Sequence, residues 1–180
     1  MIMKKLIALV LAAVMALGIV SAFAAAPSKT TTNVAKILDF EASGETPSDD
    51  FSIIIVEDSE EAAKELSVIL EAVKGGKTPA ECFPEGLLPA DADLEMLEFF
   101  AVIANNYKPE YGDITIHAEL GTVYQPDQEF YPLVKSNGAW GNAAGQIQDD
   151  GTVKITFNVE QMNAMNGQES LVALFSTPAK

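Results

Sequence analysis

The chain contains no arginine. Arginine supplies the planar, two-pronged grip on phosphates and carboxylates. Its absence, in a chain with an excess of acids, excludes a nucleic-acid partner and disfavours an anionic membrane surface. Histidine, cysteine and tryptophan each occur once, as His117, Cys82 and Trp140. A single cysteine forms no internal disulfide, so stability must come from packing. One histidine and one cysteine are too few for the usual zinc sites, which draw on several such ligands, so no metal is expected. No GxSxG is present. A Cys82–His117 dyad is conceivable, but nothing in the spacing brings the two together. The simpler reading is a buried thiol and an imidazole on a wet strand face.

Two motifs dissolve on inspection. Gly75-Gly76-Lys77-Thr78 lacks the earlier glycine of a phosphate loop, since position 71 is Glu, and it follows a helix where a phosphate loop follows a strand. Asp91, Asp93 and Glu95 alternate like the start of a calcium loop. Position 96 is Met where glycine is required, and position 102 is Val where the two-oxygen acid belongs. No cofactor is expected.

What is present begins with an export pattern. Lys4 and Lys5 precede an uncharged apolar run from Leu6 to Val20, which is short for a membrane span. Ala22-Phe23-Ala24 gives the small-x-small cleavage pattern, so residues 1–24 are expected to be a removable secretory signal. The C-terminus, LVALFSTPAK, has no apolar anchor and no LPxTG-type sorting pattern. The expected location is extracellular, free or non-covalently held at the cell surface. Removal of the signal leaves 9 Lys against 26 Asp and Glu, a formal charge of −17. Such acidity favours solubility and opposes self-association.

Residues 25–33 read as a polar leader. Val34–Phe40 is open between strand and helical turn. Phe51–Val56, FSIIIV, is aliphatic and β-branched, which predicts a buried strand. Asp58, with Glu61 three residues on, predicts a helix start, and Ala62, Leu66, Ile69, Leu70 and Val73 recur at helical spacing. Gly75-Gly76 ends that helix, placed over 59–74. Asp91–Leu97 suggests a helical turn and Glu98–Asn105 a strand. Ile114, Ile116, Ala118 and Leu120 alternate with polar residues, as do Val153, Ile155, Phe157 and Val159. Phe130–Lys135, the Asn137-Gly138 turn and a return strand over Trp140–Gln148 form a hairpin. A helical turn over 160–165 and a strand over 171–175 follow.

The expected class is α+β. Residues 95–178 form an antiparallel, immunoglobulin-like β-sandwich, and residues 34–94 an N-terminal α/β attachment carrying the helix. The stretches LEFFAVIANNYKPEYGDITIHAEL and DGTVKITFNVEQMNAMNGQESLVALF resemble uncharacterised secreted proteins of Gram-positive anaerobic bacteria. Those proteins have a helical N-terminal part and a C-terminal β-sandwich. The resemblance implies no activity and transfers no residue role.

Trp140, Tyr107, Tyr111, Tyr124 and Tyr131 fall at or near turns, where exposed rings can stack on sugars or anchor a protein. The favoured reading of the rings themselves places Trp140 and several tyrosines at the ends of the core with polar tips in water. The functional expectation is a secreted, non-catalytic module that binds a protein or glycan. A structural surface domain without a specific ligand, or a carboxylate-based hydrolase, are the alternatives.

Overall fold

The computed structural model describes residues 35–121 and 124–178. The expected signal (1–24) and leader (25–33) lie outside those residues. In chain order the elements are β1 (Lys36–Ala42), β2 (Ser52–Val56), α1 (Glu60–Lys74), β3 (Glu95–Asn105), β4 (Ile114–Glu119), β5 (Phe130–Ser136), β6 (Ala139–Asn142), β7 (Ala144–Ile147), β8 (Val153–Phe157), α2 (Val159–Met165) and β9 (Ser170–Ser176). Two antiparallel sheets result, ordered β1-β4-β8-β7 and β2-β3-β9-β5-β6.

Strand alternation decides what each face buries. Ile114, Ile116 and Ala118 of β4 and Val153, Ile155 and Phe157 of β8 point inward and are fully buried. They pack against Phe100, Val102 and Ala104 of β3 and Val172 and Leu174 of β9. This is the inter-sheet core of a two-sheet α+β fold. A second core covers the outer face of the five-stranded sheet. There Met96, Leu133, Ala173 and Phe175 meet Leu66 and Ile69 of α1, with Phe83, Leu88 and Leu94 from the connecting segment. Strand β9 is therefore covered on both faces, and all seven of its residues are buried. That double covering explains its nearly unbroken apolar sequence, LVALF.

The helix starts one residue later than the sequence suggests. Ser59, not Asp58, is the cap, and its Oγ accepts from Ala62 N at 3.0 Å. The same hydroxyl donates to Glu169 just before β9 at 2.6 Å, which fixes the helix entrance to the sheet. Gly75 N–H closes the other end on Glu71 O. At the far end of the chain, Asn158 and Gln161 form a reciprocal capping box on α2. Met162 and Met165 of that helix are fully buried and plug one end of the inter-sheet core.

Several expectations need revision. The 34–94 segment was expected to stand as an attachment, yet it supplies an edge strand to each sheet: β1 pairs with β4 and β2 with β3. Those partners are distant in sequence, so local patterning could not show them. The return strand expected over 140–148 is two strands. Residues 139–142 pair with β5 and residues 144–147 with β8, so the chain steps from one sheet to the other at Ala143. Small residues permit the step: a Cβ on Gly145 would sit 2.5 Å from Pro132 Cγ. The helical turn expected over 91–97 is a bend followed by β3. Met96 faces the second core and Leu97 the inter-sheet core, and a bulge between Met96 and Glu98 resets the alternation so that Glu98 falls on the inter-sheet side with Leu97. The Asn137-Gly138 turn forms, with φ of 52° and 79°, the left-handed pair that a tight hairpin requires.

Candidate functional site

The five aromatic residues divide between the two cores and do not make one exposed platform. Tyr107, Tyr111 and Tyr124 are buried in the inter-sheet core. Tyr107 and Tyr111 pack edge-to-face at 6.0 Å, and Phe51 meets Tyr111 at 5.7 Å. Tyr107 Oη donates to Gly112 O at 2.7 Å. Tyr111 Oη lies 2.7 Å from Ser48 Oγ, and this bond holds the phenol below its ordinary pKa. Trp140 and Tyr131 are half-buried against the second core. Trp140 stands edge-on to Phe83 at 4.9 Å, and its Nε1 donates to Glu65 Oε1 at 3.3 Å. The hydroxyl of Tyr131 donates to Glu129.

Cys82 and His117 lie on opposite sides of the fold. Cys82 borders the second core, outside the five-stranded sheet, and its thiol donates to Thr78 O at 3.4 Å. Burial pushes that thiol's pKa up, so it stays protonated near neutrality. His117 is on the outward face of β4, in the other sheet. Its Nε2 sits 2.5 Å from Thr152 Oγ1, which donates to Asp150 Oδ1 at 2.5 Å, and its Nδ1 is 3.7 Å from Asp39. This polar chain runs across the open face of the four-stranded sheet, with Lys154 and Glu41 beside it at 3.4 Å. Among the described residues, no three His, Cys, Asp or Glu side chains gather as metal ligands do. A hollow of about 530 Å³ lies between α2 and the β5–β6 turn, lined by Asn137, Val159, Glu160, Asn163, Ala164 and Gln168. Its lining carries one carboxylate and no nucleophile–base pair.

One carboxylate has an unusual setting. Glu98 follows the β3 bulge and shares the side of Phe100, which faces the inter-sheet core. Its Oε1 accepts from Gly121 N at 3.4 Å. Burial raises its pKa to about 7, with the Gly121 bond pulling weakly the other way. The sequence showed Glu98 only as the polar start of an apolar strand.

The two long sides of the fold differ in kind. On one side the edge strands are β6 and β7, four residues each, and the chain itself passes between the sheets there. On the other side the edges are β1 and β2, and they touch: Phe40 and Phe51 pack edge-to-face at 5.0 Å. Three of the exposed large apolar side chains lie on these strands, Leu38 (45% exposed), Phe40 (37%) and Ile54 (50%). Leu38 falls at the irregularity between Ile37 and Asp39, where β1 loses register with β4. Strand β1 is guarded by that bulge and by Lys36, Asp39 and Glu41. Strand β2, SIIIV, has no such guard within its length. Among the described residues, Ser52–Val56 make no backbone hydrogen bond other than those to β3. This open flank was missed in the sequence because FSIIIV reads as a buried strand. Its edge position depends on pairing that no local pattern encodes.

Comparison with protein-family models, curated proteins and solved structures found no match.

Proposed function

We propose that the chain is a secreted, non-catalytic module that binds a protein partner at or outside the bacterial cell surface, and that it does so through the β1–β2 flank. One observation carries this reading: among the described residues, β1 and β2 are edge strands with no partner on their outer sides, they lie side by side, and Leu38, Phe40 and Ile54 are exposed on them. Apolar side chains grouped at an unpaired edge are what partner binding and strand addition use. The export pattern at the N-terminus supports the location, and among the described residues no helix is long and apolar enough to cross a membrane. Burial of Tyr107, Tyr111 and Tyr124 takes support from a sugar-stacking platform and leaves protein as the favoured partner. The strand order also departs from the ABED and CFG sheets of an immunoglobulin constant domain. In this reading the flank, not a set of end loops, is the binding face.

The test is site-specific photo-crosslinking on intact cells. A photoreactive residue at Leu38 should trap a defined surface protein, and the same residue at Gln146, on β7 across the fold, should not. Equal trapping at both positions, or none at either, defeats the flank as the binding face.

A further inference from the structure

We infer that β2 takes up an extended peptide as an added strand, and that the peptide has an apolar centre and Lys or Arg at both ends. The inference rests on the reading above and names the partner's chemistry.

In an antiparallel pair, alternate residues turn their N–H and C=O groups away from the partner strand. For Ser52–Val56 those outward groups are the template for one more strand. Ile54 offers an exposed apolar side chain in the middle of it, while Ile53 is held in the core and fixes the strand's register. The ends are acidic. Asp49 and Asp50 precede the strand, and Glu57, Asp58, Glu60 and Glu61 follow it, all exposed. No lysine occurs between Ser43 and Ala63.

This charge pattern decides between occupants. A second copy paired antiparallel about Ile54 sets Asp50 of each chain opposite Asp58 of the other. Like charges directly opposed across strands destabilise the pair. Other registers that keep the apolar residues paired also bring acidic ends together, and the acidity of the whole chain adds repulsion. A strand with basic ends reverses every one of those terms. It gains cross-strand ion pairs at both ends and apolar contact in the middle.

The probe is a capped peptide, Lys-Lys-Thr-Val-Thr-Val-Thr-Lys-Lys, titrated into the chain lacking residues 1–24. Saturable one-to-one binding is expected, weakening with salt. A glutamate-ended peptide of the same centre should bind at least about tenfold more weakly. A peptide N-methylated at every residue of its Thr-Val-Thr-Val-Thr centre keeps its charge but can add to an edge with neither of its sides, and should also lose about tenfold. Hydrogen exchange of the Ser52–Val56 amides should slow on binding, and that of β1 should not. Ile54→Lys, at an exposed position, should abolish binding without unfolding the protein, and a Glu57→Lys/Asp58→Lys double variant should weaken it. Equal binding of the N-methylated peptide would reduce the effect to charge adsorption and overturn the proposal, as would protection on β1 or self-association. If the peptide fails while trapping at Leu38 persists, strand addition falls and the protein-binding flank stands. If both fail, the flank itself is wrong.

Discussion

Lys135 Nζ lies 2.9 Å from Glu65 Oε1, an ion pair that ties α1 to the sheet it covers. The same carboxylate oxygen accepts from Trp140 Nε1. Lys135 also sits 5.9 Å from the centre of the Trp140 ring. Glu65 thus joins helix, β5 and β6 at one point, with both ionic side chains largely withdrawn from water.

Glu65→Ala should destabilise the protein by about 1–3 kcal/mol, because it strands the Lys135 ammonium and the indole N–H together. Lys135→Met should cost less, since the methylene packing survives and Trp140 keeps its acceptor. Urea titrations followed by the single tryptophan measure both. Equal losses would show that the Trp140 bond to Glu65 adds nothing to what the Lys135 ion pair contributes.

The Glu98 pKa near 7 stands above the ordinary carboxylate value of 4.5. Between those values the folded chain holds a proton that the unfolded chain has released, so this group's contribution to stability falls as pH rises from about 4.5 to about 7. The loss reaches at most on the order of 3 kcal/mol above that window. Glu98→Gln should remove this dependence, leaving a variant more stable than the parent at about pH 8 and close to it at about pH 5. A parallel pH dependence in parent and variant denies the carboxylate this role.

Gly145→Ala should destabilise by about 1–3 kcal/mol. The added methyl would meet Pro132 Cγ at 2.5 Å and Phe130 Cε1 at 2.7 Å, so both rings of β5 would have to shift. Loss of protection at Ala144–Ile147 in hydrogen exchange, with the rest of the four-stranded sheet less affected, is the expected signature. Unchanged stability would show that the β6–β7 step can widen freely.

Val68→Ser on α1 should change stability by no more than about 0.5 kcal/mol. Val68 is 61% exposed and lies outside both cores. Ile69→Ala, one residue on and 4% exposed, should cost about 2–5 kcal/mol. Thermal melts of the pair place the boundary of the helix's buried stripe.

Much of the fold is legible in the sequence wherever a signal is local. The alternation in β4 and β8 identified their buried faces, the Asn137-Gly138 turn located one hairpin, and the apolar spacing from Ala62 to Val73 gave α1 almost to the residue. What escaped depends on contacts between distant segments. Val34–Phe40 is too short and mixed to reveal a strand; Lys36–Phe40 belongs to one, β1, by pairing with β4, and Val34 lies outside the described residues. The Trp140–Gln148 stretch carries small residues whose role is close approach, which no hydropathy pattern records. The aromatic residues are ambiguous in sequence for the same reason: Tyr107 and Tyr111 sit beside turn residues, yet their rings fold back onto Phe51, more than fifty positions earlier. The flank was hidden because an aliphatic strand looks the same in sequence whether its backbone has one neighbour or two.

The crossing at Ala143 ties the two layers together. A single residue separates β6 from β7, so the sheets cannot move apart on that border without breaking the pairing of β6 with β5 or of β7 with β8.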